Sequence, residues 1–363
     1  MREFLKPSLN WMLIFFPVCV FLEHMYPESH SLIFLSSCAA IVPLAGLLGK
    51  ATEHIADSAG EGLGGFLNAT LGNAAELIIA IVALRQGFTE VVKASITGSI
   101  IGNVLLVLGM AFLAGGIRHK TQQFNASAAQ AQVASLLLVT VALIVPGAFE
   151  RLSEGAMAGT VSKLSVTISI VLLLTYGLNL VFSLYTHKEL FSGNRGASAD
   201  SHSSTESHWG LRLSIVVLAA STVLIAWMSE ILVGSVSEAA KTLGMSNIFI
   251  GVIVVAMVGN AAEHSSAVTV AIKNRMDLSL SIATGSSVQI ALFVAPFLVL
   301  LSYAVAPTPM DLVFSTGEIL AVILSVSICG NVMNRGQSNW FVGALLLAVY
   351  VILGLAFFFV PTK

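Results

Sequence analysis

Glu76 and Glu263 stand at the end of the same pentapeptide. Gly72-Asn73-Ala74-Ala75-Glu76 returns as Gly259-Asn260-Ala261-Ala262-Glu263, and Gly98-Ser99 returns as Gly285-Ser286. Each glutamate is followed 22 residues later by its Gly-Ser, so one shift of 187 residues aligns both motifs. Both glutamates lie in long apolar stretches. A carboxylate at the centre of a membrane helix costs about 2.5–3.5 kcal/mol even on the lenient insertion scale, so two at matched positions need a chemical reason. A buried, protonated Glu bonded to a neighbouring helix would be the purely structural reason. Preservation of Asn and Glu together in both copies favours a cation site.

The spacing supplies the ligands. Asn73 and Glu76 are three apart, as are Asn260 and Glu263, so each pair shares a helical face and offers an amide oxygen beside a carboxylate. Ser99 and Asn103 are four apart and Ser286 and Gln289 three apart, adding hydroxyl and amide oxygens on the next helix. Ca²⁺ takes 6–8 hard oxygens in flexible geometry, and this set with freed backbone carbonyls can provide them. A break at Gly72 or Gly259 would free such carbonyls; close helix packing by small residues is the alternative use of the same glycines. Soft ligands do not converge, which argues against Cu(I) or a structural zinc cage. His264 adjoins Glu263, but neighbouring helical residues point about 100° apart, which suits packing or support better than ligation. Glu318 reads equally as a vestibule carboxylate or as a buried hydrogen-bonded residue. The acids Glu53, Asp57 and Glu61 read as cytoplasmic surface. Neither HExxH nor GxSxG occurs, so an intramembrane hydrolase, and an enzyme generally, is disfavoured.

The elements that must hold these residues are membrane helices. Of 363 residues, 56% are hydrophobic and 10% charged, against about 25% charged in a soluble domain. Apolar stretches near the length of about 20 residues needed to span a bilayer recur at about 8–26, 31–50, 62–86, 91–116, 125–149, 162–186, 211–232, 244–272, 278–305, 311–330 and 338–360. The expected fold is therefore an all-α membrane protein with about 11 transmembrane helices. Net charge is −2, which excludes a basic footprint for nucleic acid. Cys19, Cys38 and Cys329 lie in apolar spans and read as core packing.

One polar interruption, 187–210, is rich in Ser, Gly and His and reads as a tether rather than a metal sensor built on His187, His202 and His208, with Trp209 as an interfacial anchor. The expected organisation is an extra N-terminal helix at 1–28, a five-helix repeat at 29–186, the linker at 187–210 and a second five-helix repeat at 211–363. An odd number of spans per repeat inverts the second copy. Inverted repeats are a plan of secondary transporters, with substrate held at the midplane where the repeats meet. With the N-terminus inside, eleven Lys and Arg face the cytoplasm, including Arg2, Lys6, Arg118, Lys120, Lys273 and Arg275, and six, including Lys93 and Lys363, fall outside. This bias favours a cytoplasmic N-terminus and an external C-terminus. The short tails suit a prokaryotic plasma membrane.

On the motifs GNAAELIIAIVALRQG and GNAAEHSSAVTVAIKNR, with one extra helix, five plus five helices and a central hydrophilic linker, the chain resembles the calcium/proton exchangers of the calcium/cation antiporter superfamily. The resemblance covers nearly the whole chain. It implies antiport of Ca²⁺ against H⁺, with Glu76 and Glu263 binding metal and protons in competition and Asn73, Asn260, Ser99, Ser286, Gln289 and Asn103 nearby. The linker lacks the long acidic run of some members. Proton coupling also follows from charge: burial and like-charge repulsion favour protonating the carboxylate pair when metal is absent, and two protons or one Ca²⁺ neutralise it equally. A sodium/calcium exchanger is the alternative transporter, although the proline-bearing motifs usual in such members are missing beside Glu76 and Glu263. No cofactor is expected; the partners are Ca²⁺, H⁺ and the lipid bilayer, and a homo-oligomer is compatible with the sequence.

Overall fold

The computed structural model describes residues 9–152, 158–191 and 209–360. Of the expected linker, residues 192–208, with His202 and His208, lie outside the described residues, as do Arg2, Lys6 and Lys363. The described chain is almost wholly helical, because long apolar runs in hydrocarbon must satisfy their backbone groups internally.

A short apolar helix, α1 (Trp11–Met25), precedes α2 (His30–Ala59). Next come α3 (Glu61–Leu71) and α4 (Ala74–Arg85), then α5 (Thr89–His119), α6 (Ala126–Leu152) and α7 (Gly159–Thr186). After the linker follow α8 (Leu211–Leu243), α9 (Asn247–Gly259), α10 (Ala261–Ile272), α11 (Met276–Val305), α12 (Thr316–Met333) and α13 (Trp340–Phe358). Among the described residues, eight helices are long and apolar enough to cross a membrane, and ten spans result if each bent pair, α3 with α4 and α9 with α10, counts as one.

The bent pairs sit at the two GNAAE motifs. α3 and α4 meet at 43°, and α9 and α10 meet at 63°. Asn73 and Asn260 therefore stand just before the start of α4 and α10, without a side-chain capping bond, instead of lying inside one continuous helix, and Glu76 and Glu263 fall in the first turn beyond each break. Of the two uses the sequence leaves open for the glycines, the helix break is present at both motifs.

α2 runs against α8, and α5 and α11 lie inside the bundle, while α7 and α13 expose most of their surface on its outside. Helices α5 and α11 each pass through a π-helical turn, Gly102–Val107 and Ile290–Val294. The first contains Asn103 and the second starts directly after Gln289. Such turns are frequent at functional sites because they re-aim the side chains around them, and hydrophobic periodicity gives no sign of them. A two-stranded antiparallel ribbon, β1 (Thr121–Gln123) with β2 (Gln337–Asn339), ties the α5–α6 connection to the α12–α13 connection. Cys19, Cys38 and Cys329 are buried and unpaired.

Candidate cation site

The broken helices and the centres of α5 and α11 meet in one polar seam. Asn73 Nδ2 donates to Gln289 Oε1 at 2.6 Å, and Ser286 Oγ donates to Asn73 Oδ1 at 3.2 Å. Asn103 Nδ2 donates to Ser286 Oγ at 3.1 Å, and Asn260 Nδ2 donates to Ser99 Oγ at 3.0 Å. Every one of these bonds joins a residue before the linker to one after it. Asn73, Asn260, Ser99, Ser286 and Asn103 are buried, whereas Glu76, Glu263 and Gln289 are half-buried.

Glu76 lies against the opposite break. A Cβ added at Gly259 would come within 2.9 Å of Glu76 Cγ and 3.6 Å of its Oε1, so only glycine lets the carboxylate lie there. One added at Gly72 would lie 3.8 Å from Gln289 Oε1. Gly259 thus serves both readings made from the sequence, the bend and the close approach, whereas Gly72 serves the bend. Glu263 stands in the first turn of α10, directly beyond the break that Glu76 lies against. Three buried oxygens of the seam, Asn103 Oδ1, Asn260 Oδ1 and Glu263 Oε2, receive no hydrogen bond from the protein.

All ten residues singled out in the sequence are therefore placed at this seam or at the breaks that form it. His264 is buried beside it, close to Ser99, Met257 and Tyr350. Glu318 is not in a vestibule: it is 2% exposed and bonded to Thr97 and Ser315. Lys93 was counted among the external loop charges, but it is buried and paired with Asp311; one lysine at the end of a span gives no sequence signal that separates the two. Glu53 and Asp57 are exposed, as expected of surface acids. Trp209 stacks obliquely on His54 at 5.2 Å.

Among the described residues, no three His, Cys, Asp or Glu side chains cluster in a way that could hold a metal. The seam is instead a pair of carboxylates with amide and hydroxyl oxygens. That donor set suits a hard, oxygen-seeking cation.

Known proteins share both the halves and their order. A family model described as sodium/calcium exchanger protein matches residues 29–185 and 213–359. The chain is 45% identical to a Ca(2+)/H(+) antiporter of Aphanothece halophytica, covering 96% of each protein. It is 44% identical to the Ca(2+)/H(+) antiporter ChaA of Bacillus subtilis, covering 90% of this chain and 92% of the relative. The solved structure of native YfkE superposes with a TM-score of 0.82 at 38% identity, over 97% of this chain and all of that one. With a family match on both sides of the linker and full-length relatives at this identity, the chain belongs to the sodium/calcium exchanger family, within the calcium/cation antiporter superfamily.

Proposed function

We propose that this protein exchanges Ca²⁺ for H⁺ across a membrane, with the cation bound at the seam between its halves. It is an antiporter of the calcium/proton type, as the full-length relatives of that name support. The observation that carries the site assignment is the carboxylate of Glu76 lying against Gly259 at the opposite break, in a seam where Asn103 Oδ1, Asn260 Oδ1 and Glu263 Oε2 are buried without a protein donor. With both glutamates ionised, repulsion and burial make the empty site costly. One Ca²⁺ or two protons remove that cost, so the site crosses neutral in either form and one species replaces the other.

Alternating exposure of the seam follows from the inverted-repeat reading. Its support is the recurrence of element order: a long helix, a bent pair, a π-turned helix and two more spans occur on each side of the linker. A cytoplasmic N-terminus is the orientation that loop charge favours, and the bacterial full-length relatives favour a prokaryotic plasma membrane. The deciding experiment is ⁴⁵Ca²⁺ uptake into proteoliposomes under an imposed pH gradient. Uptake is expected with the pH gradient alone. Uptake driven by a Na⁺ gradient and indifferent to pH would show a sodium/calcium exchanger instead.

A further inference from the structure

A second polar cluster lies at the far end of α5, away from the carboxylate pair. Lys93 is 6% exposed, and its Nζ donates to Asp311 Oδ1 at 2.6 Å and to the carbonyl of Val313 at 2.9 Å. Glu90, exposed, stands 3.7 Å from the same Nζ. One turn further along α5, Thr97 Oγ1 donates to Glu318 Oε1 at 3.0 Å, while the other oxygen of Glu318 accepts the backbone N–H of Ser315 at 3.0 Å. Ser315 in turn caps α12 by accepting the N–H of Glu318. The segment between α11 and α12 is also fastened to α7 by Leu312 N–H on Ser165 Oγ and to α6 by Arg151 on Thr316.

These ties act on the part of α5 that forms the seam. Thr97 directly precedes Gly98, whose added Cβ would fall 2.1 Å from the carbonyl oxygen of Val252 on α9. Ser99, which accepts from Asn260, is the next residue. A rotation of α5 by a fraction of a turn would lift Gly98 off Val252 and carry Ser99 away from Asn260. The corresponding tie on α11 is the hydroxyl of Thr284 donating to Gln132 of α6, where a neutral amide fills the acceptor's place.

We infer that Glu318 and Lys93 are positioning residues for the cation site: bound to the segment 306–318, they fix the rotation of the first half of α5 and so hold Ser99 and Asn103 in the seam. This rests on the seam being the cation site. What Glu318 supplies is an acceptor for Thr97, and the amide of Gln132 shows that a neutral group can serve a threonine in this way.

The test is ⁴⁵Ca²⁺ uptake by the full-length protein in proteoliposomes driven by a pH gradient, with the half-saturating Ca²⁺ concentration and the maximal rate measured separately. Glu318→Ala and Thr97→Val are each expected to raise the half-saturating concentration about five- to tenfold, with maximal rate per folded protein changed less than about twofold. Glu318→Gln should stay within about threefold of the parent, because its amide oxygen can keep the bond from Ser315 N–H while its NH2 donates to the Thr97 hydroxyl, which preserves the tie to α5. Thr97→Val keeps the side-chain shape and carries the test if Glu318→Ala folds poorly. The inference is overturned if Glu318→Gln is as damaging as Glu318→Ala, since the carboxylate's charge or proton would then be what matters. It is overturned too if Glu318→Ala and Thr97→Val leave affinity unchanged, whether or not the yield of folded protein falls. Glu76→Gln and Glu263→Gln, run alongside, separate the two failures: inactive, they leave the seam standing whatever Glu318 does, and active, they remove the seam and this inference with it.

Discussion

The two carboxylates differ from the neutral oxygens around them in what their removal does. Glu→Gln keeps shape and eases burial but deletes the charge that holds Ca²⁺ and accepts a proton. Glu76→Gln and Glu263→Gln should each abolish pH-driven ⁴⁵Ca²⁺ uptake while the purified protein stays monodisperse. Asn73→Ala and Asn260→Ala should leave transport measurable, because the titrating pair survives. Acidifying the Ca²⁺-binding side should raise the half-saturating Ca²⁺ concentration of the parent, since protons and metal compete for the same oxygens; an affinity independent of pH on that side would separate the proton site from the metal site. These residues were legible in the sequence because duplication marked them twice. Lys93 and Asp311 were not: each has a different residue at the matching position of the other half, so no repetition pointed to them, and Lys93 fell among the loop charges.

Among the helices, the matched glycines have unequal surroundings. Gly98 is seated on the Val252 backbone of α9, whereas nothing stands within 4 Å of a Cβ built at Gly285. Gly98→Ala should therefore force α5 and α9 apart and cost about 1–3 kcal/mol, read as a lower midpoint of thermal unfolding in detergent. Gly285→Ala should leave that midpoint within a degree or two. Equal effects at the two positions would contradict the tight seam on one side. The apolar spans were readable from length and composition, whereas the bend at each GNAAE motif was one of two uses the glycines left open, because glycine serves a helix break and a close helix contact alike. The π-helical turns beyond Ser99 and Ser286 were not, since their residues are as apolar as any in a regular span and the extra residue per turn is imposed by packing.

At the scale of the whole molecule, the bundle exposes α7 and α13 on its outside and gathers polar side chains where the halves meet. The orientation deduced from loop charge predicts that single cysteines at positions 201 and 363, in a background lacking Cys19, Cys38 and Cys329, react with an impermeant thiol reagent from opposite faces of the membrane. Labelling from one face would remove the inverted arrangement. The fold class could be read from composition, but how the halves interlock could not, because pairing across 213 to 216 residues of chain leaves no local pattern. That interlocking has a genetic consequence. Since the hydrogen bonds of Asn73 end on Gln289 and Ser286, damage at Asn73 is felt on α11 before it is felt on its own neighbours. Second-site suppressors selected for restored calcium tolerance in an Asn73→Ala strain should accordingly map after the linker, on α11, while suppressors of Asn260→Ala should map before it, around Ser99.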